Sequence, residues 1–175
     1  MWVFGYGSLL WDPGFTPAET ARAHLSGYHR SFCMLSIHHR GTEEDPGLVL
    51  ALDAVEQGTC TGLALRVTDE EADDVLAYLR ERELISSAYL ERLVDLELDD
   101  GRRVEAVAYV IDPDHRQYVT LPLETQAQMI ARAVGGRGPN TDYLNNTANH
   151  LTEIGIADAE MEWLVARVRE LTGAG

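Results

Sequence analysis

The feature that most constrains the fold is the separation of strand-like and helix-like segments along the chain. Short apolar segments bounded by Gly, Pro and acidic turns fill most of the first two-thirds, and apolar residues at helical spacing fill the last third. This order predicts an α+β fold, with a small, strongly bent sheet or barrel before a helical C-terminal third. At 175 residues and 45% hydrophobic content, we expect residues 1–175 to form a single domain.

Six strands are predicted from apolar, β-branched segments. They cover residues 2–4, 27–39, 48–54, 61–67, 89–98 and 102–111. A turn at Glu56-Gln57-Gly58 is expected to separate the third strand from the fourth. Asp99-Asp100-Gly101 is a strong hairpin signal, so the last two strands are expected to be antiparallel neighbours.

Four helices are predicted. Thr68-Asp69-Glu70-Glu71 fits a capping box with Thr68 as N-cap, and apolar residues repeat at helical spacing after it. In the last third, the predicted first or capping residues are Pro122, Asn140 and Asp158, and the predicted ends are Gly135-Gly136, Gly155 and Gly173. The predicted buried stripe of the final helix consists of Trp163, Leu164 and Val168.

Charge and cysteine content narrow the function classes. The formal net charge is −15, from 14 basic and 29 acidic residues, which argues against nucleic acid and anionic membranes as partners. Cys33 and Cys60 lie in apolar segments, so we expect buried free thiols in a reducing compartment. The chain begins without a basic segment and apolar core, and no apolar run approaches the roughly 20 residues that span a bilayer. We therefore expect a cytoplasmic protein.

The sequence Gly5-Tyr6-Gly7-Ser8 interrupts the first strand. One interpretation is a tight turn. The other is a ligand-binding loop, in which the N–H groups of Tyr6 to Leu9 converge on an anion or a carbonyl oxygen, because glycine permits close approach to the backbone. The spacing matches neither the phosphate-binding glycine motifs nor the Gly-x-Ser-x-Gly elbow of serine hydrolases.

Glu83 lies at the end of the helix that follows Thr68. A carboxylate there faces the negative end of the helix dipole, where basic residues are preferred. Arg80 and Arg82 can neutralise Glu81 and Glu83 in a solvated charge cluster. Alternatively, Glu83 points inward and acts as a base whose pKa is raised by burial.

The segment Ser36-Ile37-His38-His39-Arg40 contains adjacent histidines. Strand alternation places His38 and His39 on opposite faces, which disfavours a shared metal ion, and no further ligands stand at suitable spacing. Arg40 is a better candidate for binding, because its planar guanidinium suits a carboxylate.

Several motifs together resemble the ChaC-type glutathione-specific γ-glutamylcyclotransferases. They fall in order along almost the whole chain: Phe4-Gly5-Tyr6-Gly7-Ser8-Leu9, Gly27-Tyr28-His29-Arg30 with Phe32, His39-Arg40-Gly41, Pro46-Gly47, Tyr78-Leu79 with Arg82-Glu83, Ala108-Tyr109-Val110, and Gly138-Pro139-Asn140 with Tyr143-Leu144. The resemblance implies a small mixed barrel flanked by helices. It also implies cleavage of glutathione, a small-molecule substrate, into 5-oxoproline and cysteinylglycine without metal or cofactor.

The resemblance also assigns residues. It implies that Glu83 is the catalytic acid/base and that Tyr6-Gly7-Ser8-Leu9 grip the γ-glutamyl group. Arg40 and Tyr109 match further pocket positions. Where many relatives carry glycines after the catalytic Glu, this chain has Ile85-Ser86-Ser87-Ala88, a difference that bears on loop closure and selectivity.

The chemistry implied by the resemblance suits these residues. The α-amino group of a γ-glutamyl amide closes a five-membered ring on the γ-carbonyl, so the protein needs to fold the substrate and transfer a proton. Two alternatives stay open: the same ring closure on another γ-glutamyl amine or dipeptide, and a non-catalytic γ-glutamyl-binding or regulatory protein. A retained Glu83 argues against the second.

Overall fold

The computed structural model describes residues 1–174 and contains, within them, seven strands and four α-helices. The strands are β1 (Trp2–Gly5), β2 (Glu19–Ser36), β3 (Gly47–Arg66), β4 (Tyr89–Leu98), β5 (Arg103–Ile111), β6 (Val134–Gly135) and β7 (Gly138–Pro139). The helices are α1 (Ala72–Glu83), α2 (Leu123–Arg132), α3 (Asn140–Ile154) and α4 (Ala159–Thr172). A single 3₁₀ turn, Ser8–Leu10, follows β1. None of the helices in the described residues has the length and apolar character needed to cross a membrane.

Five strands close into a barrel in the order β1-β3-β2-β4-β5. β1 pairs antiparallel with β3 and parallel with β5. β4 pairs antiparallel with β2 and with β5, and its register with β5 runs from Tyr89 opposite Ile111 to Glu97 opposite Arg103. The α+β prediction with a small mixed barrel and a helical C-terminal third is confirmed. The hairpin predicted at Asp99-Asp100-Gly101 is confirmed too.

The chain forms two compact units. The first consists of Met1–Ser31 and Ala51–Arg116, and it contains α1, β1, β4 and β5. The second consists of Phe32–Leu50 and the chain from Gln117 onward, and it contains α2, α3, α4 and the β6-β7 pair. The expectation of a single domain stays a prediction.

Strand alternation divides the core of the first unit into two clusters. One takes residues from all five barrel strands and therefore fills the barrel: Phe4, Tyr6, Ala23, Leu25, Leu52, Cys60, Ala64, Val94, Leu96, Leu98, Ala106, Ala108 and Val110. The other lies on the outer face, where strand residues pack with α1: Val3, Leu9, Leu65, Val67, Val75, Leu79, Val107 and Tyr109. The apolar stripe of α1 thus docks this helix on the barrel.

The turn predicted at Glu56-Gln57-Gly58 is wrong. β3 runs through it as one strand of 20 residues. A Cβ added at Gly58 would lie 2.9 Å from the main-chain carbon and oxygen of Tyr28. Gly58 therefore marks a close backbone approach within the sheet, which is the other common use of glycine in a strand.

The limits of β2 and the start of α1 also differ from prediction. β2 runs from Glu19 to Ser36, whereas residues 27–39 were predicted. It begins upstream of Gly27 because residues such as Leu25, which lies opposite Leu96, pair with β4. Thr68 is not an N-cap: its hydroxyl donates to the Glu71 carboxylate (2.8 Å), and the helix starts only at Ala72. The bond between the two side chains replaces the bond to the main chain that a capping box requires.

The C-terminal helices begin and end partly where the sequence predicts. Asp158 caps α4 as expected, its Oδ1 accepting from the Met161 N–H (3.0 Å), and Gly155 and Gly173 end α3 and α4 in the left-handed conformation. α2 begins one residue after Pro122 and ends at Arg132, so Gly135-Gly136 lies beyond it, and Gly135 belongs to β6.

Two predictions about buried side chains have opposite outcomes. Trp163 is 41% exposed and does not belong to the buried stripe, whereas Leu164 and Val168 do. The stripe follows Met161, Leu164 and Val168, at which spacing Trp163 falls on the adjoining face. Cys33 and Cys60 are free and buried, as expected.

Asn140, predicted as an N-cap, is instead the first residue of α3 and is fully buried. Its Oδ1 accepts from the Leu48 N–H (2.7 Å), and its Nδ2 donates to the Leu48 carbonyl (2.8 Å). The side chain therefore imitates a strand neighbour for β3 and satisfies two buried main-chain groups at once.

Replacing Asn140 by Ala should lower the free energy of unfolding by about 2–4 kcal/mol, because two buried backbone groups lose their partners. The measurement is urea unfolding followed by circular dichroism. Asn146→Ala, at an exposed position of the same helix, is the matched control and should stay within about 0.5 kcal/mol. Equal effects at both positions would contradict this account of Asn140.

Candidate active site

The loop after β1 presents unused backbone donors. The 3₁₀ turn is closed by bonds from the N–H groups of Leu10 to Gly7 O (2.9 Å) and Asp12 to Ser8 O (2.8 Å). The N–H groups of Gly7, Ser8 and Leu9 make no hydrogen bond within residues 1–174. A Cβ built on Gly7 would meet nothing within 4 Å. This stretch can therefore receive a ligand oxygen directly on the main chain.

Tyr6 anchors the start of the loop. Its side chain is buried, and its hydroxyl donates to the Tyr109 carbonyl (2.8 Å) on β5. Its own carbonyl accepts from Nη1 of Arg30 (3.1 Å), a buried residue that also donates to Thr61 O (2.9 Å). These bonds fix the backbone from which Gly7 and Ser8 follow. The strand pattern gave no role to Arg30, although an arginine in an apolar strand was a signal that it binds internal carbonyls.

Glu83 is the last residue of α1, and its side chain is only 17% exposed. Burial raises the pKa of the Glu83 carboxyl above its usual value. The neighbouring Arg82, with Nε 3.3 Å from Oε1 of Glu83, acts in the opposite direction on that pKa and has the smaller effect. Of the two interpretations from sequence, the structure supports the inward-facing carboxylate over the fully solvated charge cluster.

Arg82 joins the loop to the end of α1. Its Nη2 donates to Ser8 Oγ (2.9 Å), and its Nη1 donates to the Asp12 carbonyl (2.7 Å) and to the Tyr78 hydroxyl (3.3 Å). One side chain thus contacts both the glycine loop and Glu83. From the sequence, Arg82 was expected only to neutralise neighbouring carboxylates and to belong to the Tyr78-Leu79-x-x-Arg82-Glu83 motif, and its bonds to the glycine loop were not predicted.

Tyr109 is held from the neighbouring strand. Its hydroxyl donates to Oε2 of Glu91 (3.1 Å), the residue opposite it in the β4-β5 register, and Glu91 accepts two bonds from Arg80 (2.9 Å each). Burial is the main cause that raises the pKa of Tyr109 well above its ordinary value, and the negative charge of Glu91 adds to it. Tyr109 is 1% exposed, so it supports the site from within the core as a neutral phenol.

Arg40 belongs to the second unit. Its Nη1 donates to the carbonyls of Arg137 (2.9 Å) and Pro139 (3.2 Å), and its guanidinium carbon lies 5.8 Å from the centre of the Tyr143 ring. The predicted contact of Arg40 with a substrate carboxylate stays a prediction. The other predicted residues belong to the first unit, where the bonds described above connect most of them: Tyr6, Gly7, Ser8, Leu9, Glu83 and Tyr109.

Comparison with protein families and curated proteins gives a consistent result. The family model described as ChaC-like protein matches residues 1–171. The chain is 38% identical over 175 residues to the glutathione-specific gamma-glutamylcyclotransferase of Escherichia coli (strain K12), covering 98% of this chain and 74% of that protein. It is 36% identical over 178 residues to gamma-glutamylcyclotransferase 2-3 of Arabidopsis thaliana, covering 98% and 89%.

Among solved structures, the fold resembles that of a yeast gamma-glutamylcyclotransferase specific to glutathione. The TM-score is 0.85 at 22% identity, and the match covers 100% of this chain and 98% of the yeast chain. At this identity the likeness shows a shared fold, which agrees with the barrel and helices described above.

The raised pKa of Glu83 predicts that Glu83→Gln is more stable than the wild type at pH 7. A buried carboxyl whose pKa is raised on folding stabilises the fold when protonated, and that stability is lost as pH rises through the folded-state pKa. The difference between variant and wild type should therefore shrink as the pH falls through the folded-state pKa towards 4.5, the ordinary value, and be smallest below it. Urea midpoints measured at pH 7 and pH 4 test this, and a variant less stable at pH 7 would contradict it.

Proposed function

The chain belongs to the ChaC-like protein family, and from this premise we propose that it is a γ-glutamylcyclotransferase acting on glutathione, with Glu83 as its general acid/base. The reaction is a lyase reaction that yields 5-oxoproline and cysteinylglycine. The observation that carries the role of Glu83 is its burial at the end of α1, where its pKa is raised and Arg82 links it to the glycine loop.

The proposed step balances within the substrate. The α-amino nitrogen attacks the γ-carbonyl carbon, forming a C–N bond and a tetrahedral centre, and Glu83 takes the proton that this nitrogen loses. Glu83 then gives the proton to the nitrogen of the departing cysteinylglycine as the original amide bond breaks. A raised pKa suits both halves, since a buried carboxyl accepts a proton more readily than a solvated one does and can still return it to the leaving nitrogen. A positioned acid/base of this kind contributes roughly 10²- to 10⁴-fold in rate.

The loop is the proposed grip for the γ-glutamyl group. The N–H groups of Gly7, Ser8 and Leu9 are free to donate to the α-carboxylate or to the oxyanion of the tetrahedral centre. Tyr6 and Tyr109 already donate their hydroxyl protons within the protein. Neither hydroxyl therefore has a proton left to donate to a substrate, and we assign both residues to the support of the loop and pocket wall.

Arg40 remains our proposed cation for an anionic group of the substrate. Its Nε and Nη2 make no hydrogen bond within residues 1–174, so donors are left over after the bonds to Arg137 and Pro139. In a chain with a formal charge of −15, a carboxylate substrate needs such a local positive group.

Glu83→Gln should abolish 5-oxoproline formation from reduced glutathione, with at least a 10²-fold fall in kcat, because the amide cannot accept the proton. Mass spectrometry of product from glutathione and, separately, from γ-glutamylalanine provides the measurement. Glu81→Gln, which removes an exposed carboxylate two residues earlier, is the matched control and should keep wild-type activity.

The same assay separates the alternatives. Product chiefly from γ-glutamylalanine would retain the chemistry and overturn the substrate. Wild-type protein that binds glutathione without turnover would favour the binding-protein hypothesis. A Glu83→Gln variant with wild-type kcat would remove Glu83 from the mechanism.

Gly7→Ala tests the loop. The added methyl meets no protein atom within 4 Å, so unfolding stability should change by no more than about 1 kcal/mol. If the substrate occupies this space, KM for glutathione should rise by roughly tenfold or more, as loss of one contact of about 1.4 kcal/mol requires. Steady-state kinetics and a urea midpoint together provide the test, and an unchanged KM in a folded variant would place the substrate elsewhere.

A further inference from the structure

We propose that Arg82 is a positioning residue that orients Ser8 as a hydrogen-bond donor to the γ-glutamyl group while it holds the Glu83 carboxylate in place. This inference rests on the proposed function and extends it to a residue that does not itself contact the reacting atoms. Its basis is the set of contacts that Arg82 makes with the loop and with Glu83.

The bond between Arg82 and Ser8 has a defined direction. A guanidinium has donors and no acceptor, so in the 2.9 Å contact with Nη2 of Arg82 the Ser8 oxygen is the acceptor. The Ser8 hydroxyl proton therefore points elsewhere. Within residues 1–174 it has no acceptor, and Ser8 is exposed. That proton is available to an oxygen of a bound γ-glutamyl group.

All three nitrogens of the Arg82 guanidinium have a partner. Nη1 donates to the Asp12 carbonyl and the Tyr78 hydroxyl, and Nη2 donates to Ser8 Oγ. Nε lies 3.3 Å from Oε1 of Glu83. These four contacts need the planar guanidinium of arginine, because a lysine ammonium carries all its donors on one nitrogen atom. Arg82→Lys thus keeps the charge and loses the geometry.

Glu83 is held near Arg82 by contacts from outside the helix. Consecutive residues on a helix do not face each other, so the helix alone does not bring the Arg82 fork to the Glu83 carboxylate. The bonds to Ser8 and Asp12 hold the fork at the helix end instead. The Arg82 side chain therefore positions both Ser8 in the loop and the carboxyl of Glu83.

The charge of Arg82 gives this role a readout in pH. The groups that interact with the Glu83 carboxyl are Arg82 on the same helix and Tyr109 on β5, and Tyr109 is bonded to the Glu91–Arg80 pair. Tyr109 stays neutral, so Arg82 is the cation that favours ionised Glu83. Its removal should raise the pKa of Glu83 further and move the acid limb of kcat/KM to higher pH.

The test compares Ser8→Ala, Arg82→Lys, their double variant and Arg82→Gln by the pH dependence of 5-oxoproline formation from glutathione. Ser8→Ala and Arg82→Lys should each raise KM for glutathione about tenfold. The KM of the double variant should exceed that of either single variant by no more than about threefold, because both substitutions remove the same bond from Ser8 to the substrate. Arg82→Gln should shift the acid limb upward, whereas Ser8→Ala should leave it in place. Arg102→Gln, which removes another multiply bonded arginine of the first unit, is the control and should retain wild-type kinetics.

The outcomes separate the two proposals. A wild-type protein that forms no 5-oxoproline would overturn the proposed function and this inference with it. Active wild type with additive losses from Ser8→Ala and Arg82→Lys, or a wild-type KM in either, would overturn the positioning role alone. Should Arg82→Gln fail to fold, Ser8→Ala and Arg82→Lys still decide the question through KM.

Discussion

Closure of the barrel by β1 is the constraint on which the first unit depends. This strand of only four residues pairs with β3 on one side and, in parallel, with β5 on the other. β1 therefore has a partner strand on each side, and the barrel is closed there. β1 ends at Gly5, Tyr6 still packs in the barrel, and the turn that follows buries Leu9 in the apolar cluster under α1. The free N–H groups of the loop are a consequence of where the barrel closes.

Burial and charge act against each other at Glu83, and the balance suits a proton-transfer group. Packing of α1 against the barrel removes most of the Glu83 carboxyl from water, which raises its pKa. Arg82 limits the rise and ties the carboxyl to Ser8 through its fork. A fully exposed Glu would stay ionised and a fully isolated one would stay protonated. The intermediate environment is what general acid/base chemistry requires.

Much of the local structure was accessible from short-range signals. Asp99-Asp100-Gly101 specified its hairpin, and Asp158 with Gly173 marked both ends of α4. Signals with two physical meanings failed. Gly58 suggested a turn but serves a close approach to Tyr28, and Thr68 bonds the Glu71 side chain in place of the helix backbone. In each case a partner outside the local segment, or a competing side chain, decided between two equally regular local outcomes.

By itself, the sequence determined the α+β class, the interrupted first strand, the candidate Glu83 and the resemblance of the ordered motifs to one family. These follow from local spacing and residue chemistry, which act over a few positions of the chain. Only the tertiary structure decided that Glu83 is largely withdrawn from water, that Arg82 reaches back to Ser8 and Asp12, and that Asn140 satisfies Leu48. These contacts join residues separated by 70 to 92 positions. No periodicity encodes them, because they exist only once burial has brought distant segments together.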